Sequence, residues 1–385
     1  MLFGESVEQV QARVSAVVGV IRSAALPAGT PAVPGCRRGQ DARRSGGGAS
    51  RRKITDRQAN VYDDEKRDGY QASNAAQQQT TKTPAAGTMT TGPVRLCYER
   101  FGSADDPAVL LIMGLGTQML GWRDEFCRAL ADQGFHVIRF DNRDCGLSTR
   151  IKPESRHDSV RQAYLKSLVG WPIRAPYLLH DMVADTIALM DELDIRQAHV
   201  VGASMGGMIG QIMTASFPHR VQSLTSIMSS SGRRGLKSGR LRALLRLIKA
   251  PPSRETEAVV EHMATTMEVI GSLPGVRQSR DAWREQIRRG VQRAYYPAGT
   301  ARQLLAVLAS GSREALLRQI SRPTLVIHGA EDPLVPVEHG RDTAALVQAA
   351  RLEVIEGMGH DLPPSLYPRL IDLISSHAGQ AGRAG

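Results

Sequence analysis

The stretch "HVVGASMGGMIGQ", His199 to Gln211, holds Ser204 among small residues, after an apolar run and ahead of a helix-like one. Further along, "HGAEDPLVP" carries Asp332 and "EVIEGMGHDLP" carries His360. A serine hydroxyl is a poor nucleophile until a base takes its proton. An imidazole can take that proton and later return it to a leaving group, and a carboxylate can fix the tautomer and orientation of the ring. Ser204 is therefore the candidate nucleophile, His360 the general base and Asp332 its orienting acid. Acyl chemistry also needs two donors for the oxyanion. The N–H of Met205 is one; the other falls in "MGLG", Met113 to Gly116, with Leu115 the first choice and Gly114 the second.

Those residues work together only if the fold brings them to one place. From residue 93 the pattern alternates strand and helix. "VRLCYERFG" has the period of two of a half-exposed strand. "PAVLLIMG" is a continuous apolar run, as in a strand buried on both faces. "FHVIRFD", "QAHVVGAS", "VQSLTSIMSS", "PTLVIHG" and "RLEVIEG" read as further strands. "WRDEFCRALADQG", "HDMVADTIALMDELD" and "MGGMIGQIMTASFP" read as the helices between them. The fold class is thus α/β, a mostly parallel central sheet with helices on both faces. In such a sheet ligands bind beyond the carboxyl ends of the strands. Ser204, Asp332, His360 and the Leu115 loop each follow a strand.

Other polar residues receive plainer readings. His328 closes the "PTLVIHG" strand and reads as structural, and His199 and His219 receive no role. Asp141, Arg143 and Asp144 read as a charge cluster bracing the loop after "VIRFD". No phosphate-cradling glycine loop and no carboxylate pair at metal-binding spacing is present, so neither a cofactor nor a metal is expected.

The organisation along the chain has four parts. Residues 1–90 form a basic, low-complexity leader whose Gly-, Ser-, Gln- and Arg-rich composition cannot offset the entropy of ordering it. Met89 is a candidate alternative start. Residues 91–230 and 303–385 form the α/β body, and residues 231–302 a helical cap inserted into it. The three helix-like segments of the cap are "LKSGRLRALLRLIKA", "ETEAVVEHMATTMEVIGSL" and "DAWREQIRRGVQRAYY". The formal net charge of +11 is concentrated in the leader and the insertion. With no aromatic-interleaved basic motif, nucleic acid is not expected as a partner, and a solvated basic surface is the simpler reading. No apolar run is long enough for a transmembrane segment. Cys36, Cys97, Cys127 and Cys145 form no paired framework, which suits reduced thiols and a cytoplasmic location. Oligomeric state is not legible.

The order Ser, Asp, His resembles that of the α/β-hydrolase superfamily and differs from the chymotrypsin and subtilisin orders. Over about residues 93–378 the chain resembles that superfamily, and within it aclacinomycin methylesterase-like hydrolases. "LLIMGLGTQMLGW", "RFDNRDCGLST", "GASMGGMIGQIMTASFP", "AYYPAGTARQLLAVLASGSR" and "HGAEDPLVP" carry the likeness. It implies a serine hydrolase acting on a carboxylic ester of a small molecule, with a helical cap and no cofactor. It places Ser204, Asp332 and His360 at the catalytic positions. Where many relatives have His-Gly at the oxyanion loop, this chain has Met113-Gly114, which keeps the backbone donor. Lactone or C–C hydrolysis, perhydrolysis or acyl transfer on the same residues, and a non-catalytic ligand-binding protein of the same fold, are the alternatives. A nucleophile of Ser rather than Asp argues against dehalogenase and epoxide hydrolase chemistry.

Overall fold

The computed structural model describes residues 85–88 and 94–383. Eight strands make one sheet: β1 (Ala85–Thr88), β2 (Cys97–Phe101), β3 (Ala108–Ile112), β4 (His136–Phe140), β5 (Ala198–Ala203), β6 (Val221–Ile227), β7 (Thr324–Gly329) and β8 (Arg351–Ile355). Their order is β1-β2-β4-β3-β5-β6-β7-β8. β1 and β2 pair antiparallel, as do β2 and β4, and every other pairing is parallel. The carboxyl ends of β3 to β8 therefore lie along one edge, where the candidate residues were expected to converge.

Between the strands run α1 (Asp124–Ala131), α2 (Val160–Val169), α3 (Leu179–Glu192) and α4 (Met205–Ser216). After β6 come α5 (Leu241–Ile248), α6 (Thr256–Ile270), α7 (Arg280–Arg293), α8 (Pro297–Ser310) and the short α9 (Glu314–Leu317). α10 (Val337–Leu346) and α11 (Tyr367–Arg383) complete the chain. β3, β4 and β5 are buried at every position, which explains their unbroken apolar runs. Successive side chains point to opposite faces, so each strand feeds two cores. Leu110 and Ile112 pack with Met182 and Val183 of α3 and Ile209 of α4. Val109 and Leu111 pack with Phe126 and Leu130 of α1 and Leu370 of α11.

Three features depart from the sequence reading. β1 lies inside the stretch 1–90 assigned to the leader; the rest of that leader lies outside the described residues. An edge strand pairs through backbone, here Ala86 with Glu99 and Gly87 with Tyr98. Its sequence AAGT therefore gives no hydrophobic signal, and a chain starting at Met89 would lack it. α2 was not anticipated, although Ser159 and Gln162 form a capping box at its start and Gly170 ends it in the left-handed region. Finally, α8 is continuous across the boundary drawn between residues 302 and 303.

Candidate active site

Ser204 is the single residue between β5 and α4, with φ 54° and ψ −117°. A residue with a Cβ adopts such a backbone only when its surroundings hold it there. The Ser204 N–H donates to the Ile227 carbonyl at 2.8 Å, and its own carbonyl accepts from Ser229 Oγ at 2.8 Å. Glycines make the turn sterically possible. A Cβ on Gly202 would lie 2.2 Å from the Gly206 carbonyl oxygen, and one on Gly206 would lie 2.0 Å from that of Ile112. The strand and helix thus pack backbone to backbone, and the Ser204 side chain is left to project from the turn.

The three predicted residues meet. His360 Nε2 lies 3.0 Å from Ser204 Oγ, and His360 Nδ1 lies 2.6 Å from Asp332 Oδ2. The Asp332 side chain is buried, and its Oδ1 accepts from the amides of Leu334 and Val335 at 2.9 and 2.8 Å. With His360, these donors suit a carboxylate that only accepts. His328 braces the same loop: burial holds its pKa below the ordinary value, and its Nε2–H donates to the Val335 carbonyl at 2.7 Å.

The oxyanion candidates also lie beside the hydroxyl. Gly114 is so close that a Cβ there would sit 3.2 Å from Ser204 Cβ. Met205 is the first residue of α4, where a helix leaves its N–H groups without intrahelical partners. The Gly116 amide is committed to Gln303 Oε1 at 2.8 Å, whereas the Leu115 amide has no hydrogen-bond partner among the described residues. This leaves the Leu115 amide without a competing partner there.

Several residues that hold these groups were not singled out by sequence. Gln303, fully buried in α8, spans Gly116 N–H and the Arg143 carbonyl, which accepts its Nε2–H at 2.8 Å. Asp361, next to the histidine, accepts from the Ser272 amide at 2.9 Å and from the Ser272 hydroxyl at 2.5 Å. Burial raises its pKa above the usual carboxylate value, and its Oδ2 has no partner. The Ser272 hydroxyl in turn accepts from the Gly359 amide, and the His360 amide donates to the Ile270 carbonyl at 2.8 Å. The end of α6 is thereby tied to the histidine loop.

Asp141, Arg143 and Asp144 do brace, and they do so across elements. Arg293 of α7 reaches Asp141 Oδ2 at 2.7 Å, and Arg302 of α8 chelates Asp144 through bonds of 2.8 and 2.7 Å. Arg143 pairs with Asp185 of α3. Charge alone signalled these arginines; it could not say which carboxylates they meet.

Comparison with known proteins gives the family of the chain. The chain is 29% identical over 316 residues to rhodomycin D methylesterase from Streptomyces sp. (strain C5), covering 76% of this chain and 98% of that protein. It is 27% identical over 269 residues to 3-oxoadipate enol-lactonase 2 from Acinetobacter baylyi, covering 70% and 88%. Among solved structures it is similar to a meta-cleavage product hydrolase from Pseudomonas fluorescens IP01, with TM-score 0.61, 21% identity, and coverage of 77% and 98%. A family model described as the alpha/beta hydrolase fold matches residues 107–364, from the approach to β3 through the histidine loop, and by that match the chain belongs to the alpha/beta hydrolase fold family.

Proposed function

We propose that this enzyme, a carboxylic ester hydrolase in the broad sense of its relatives, cleaves a small-molecule ester through an acyl-enzyme. The observation that carries the reading is the continuous line of contacts from Ser204 Oγ through His360 to Asp332, at 3.0 and 2.6 Å. His360 Nε2 takes the hydroxyl proton as Ser204 attacks the ester carbonyl. The amides of Leu115 and Met205 hold the oxyanion, and Asp332 stabilises the imidazolium. The proton passes to the departing alcohol, and water, activated by the same imidazole, releases the acid. No cofactor is needed for these steps.

The insertion over residues 231–302 serves as a cap above the strand ends. Two ties support this: the Ile270 carbonyl and the Ser272 hydroxyl accept from the His360 and Gly359 amides of the histidine loop, and Gln118 Nε2 donates to the carbonyls of Gly290 and Ala294. Free thiols at Cys97, Cys127 and Cys145 suit a cytoplasmic setting.

Ser204→Ala should lower turnover of a short p-nitrophenyl ester by about a thousandfold or more, and should abolish labelling by a fluorophosphonate probe. Retained turnover would refute the assignment. Methyl esters and lactones come first in a substrate screen, because the relatives are named for those reactions.

A further inference from the structure

The apolar stripe of α5 is only partly covered, and its two ends face solvent. Leu241, Leu244, Leu245 and Ile248 fall at the i, i+3, i+4, i+7 spacing that makes one apolar stripe, and such a stripe normally faces the core. The fully buried position of α5 is instead Ala243, on the opposite side of the helix. At the two ends of the stripe Leu241 is 57% and Ile248 44% exposed, Leu244 and Leu245 between them are half-buried, and Leu247, one turn after Ala243, is 37% exposed.

Cations flank this apolar face. Residues 231–254 contain no Asp or Glu. Arg233 and Lys237 find carboxylates in Asp342 and Glu338. Arg240, Arg242, Arg246 and Lys249 form no ion pair among the described residues. On the same segment, the Arg234 guanidinium lies against Gly170, at the end of α2, beside Leu168, Val169 and Trp171. Those three side chains are themselves exposed, Trp171 by 67%. An apolar stripe exposed at Leu241 and Ile248, with unpaired arginine and lysine along it and a tryptophan nearby, is the composition of a helix that lies in a lipid interface. The cations seek lipid phosphates while the leucines enter the acyl boundary.

We propose that α5, with the basic segment around it, docks this protein on the surface of an anionic phospholipid bilayer. Charge complementarity selects that occupant. The leader assigned to residues 1–90 is itself basic and does not complement the charge of the face. A polyanion such as RNA would use the cations and leave the leucines unused. The docking does not depend on the hydrolase reading, but it places the site near lipid: α5 begins where the Arg240 amide donates to the Pro333 carbonyl at 2.7 Å, one residue after Asp332.

The test is co-sedimentation of the full chain with vesicles of phosphatidylglycerol and phosphatidylcholine in equal parts, and with pure phosphatidylcholine. Binding to the mixed vesicles at low salt, falling as salt is added and near absent on pure phosphatidylcholine, is the expected result. Leu241→Ser/Ile248→Ser and Arg242→Glu/Lys249→Glu should each lower the partition coefficient by about tenfold or more. The leucine variant should hydrolyse a soluble p-nitrophenyl ester at the wild-type rate, which reports an intact fold. The proposal is overturned if the wild-type chain ignores anionic vesicles, or if the leucine variant binds them equally. It is also overturned if the chain is a dimer that Leu241→Ser dissociates, or if it binds RNA but not vesicles.

Discussion

At the scale of single residues, the candidate site is held by hydrogen bonds from groups behind it. Ser204 occupies a backbone region costing about 1–3 kcal/mol, held there by its bonds to Ile227 and Ser229. Gln303 does similar work for the oxyanion loop, fixing Gly116 next to the free Leu115 amide. Gln303→Met keeps the length but leaves the Gly116 N–H and Arg143 carbonyl unpaired. If the neighbouring Leu115 amide is the oxyanion donor proposed above, the change should lower kcat by roughly ten- to a hundredfold with KM little changed, since such a donor acts mainly in the transition state. Steady-state kinetics on an ester check this, and an unaltered kcat would assign Gln303 to folding alone. Ser204, Asp332 and His360 were legible in sequence because their types and strand-end positions are specific together. Gln303 was not, since a glutamine within a helix has no distinguishing pattern.

At the scale of elements, close backbone approach decides what can stand at the turn between β5 and α4. A methyl group on Gly206 would overlap the Ile112 carbonyl, so α4 would have to lift off β3. Gly206→Ala should cost about 2–3 kcal/mol or more in urea unfolding and strip most of the activity. Ser159→Ala, which removes the cap of α2, should cost only about 1 kcal/mol and leave turnover unchanged; Ser159 Oγ accepts there from the Gln162 amide. Equal losses in the two variants would contradict the argument. The helices of the insertion were readable from their periodicity. The orientation of α5 was not, because an amphipathic pattern says which residues share a face and not which way that face is turned.

At the scale of the whole molecule, acid should destabilise the fold through histidines buried in the neutral form. His199 lies under the sheet with Nδ1 2.8 Å from Ser223 Oγ and its ring edge-on to Phe135. Burial first, and then the neighbouring His377, lowers its pKa from 6.5 to about 4. An unfolded chain protonates this residue below about 6.5 while the folded one does not. Its stabilising contribution is therefore complete above that pH and is lost progressively as pH falls from about 6.5 to about 4, on the order of 3 kcal/mol in all. Burial lowers His377, His136 and His328 as well, with the same sign. Asp361, raised by burial, acts in the opposite sense and recovers some stability in acid. Urea midpoints between about pH 7 and pH 4 should fall for the wild type and fall less steeply for His199→Gln; parallel curves would show that His199 carries no part of the effect. The sequence by itself determined the α/β alternation and pointed to Ser204, Asp332 and His360 as candidates, because period, apolar runs and turn glycines are local properties of a chain. Only the tertiary structure decided that the end of α6 is tied to the histidine loop, that Arg293 and Arg302 meet Asp141 and Asp144, and that Leu241 and Ile248 of α5 face solvent. Those are contacts between segments far apart in sequence, and their partners are selected by packing geometry rather than by residue type.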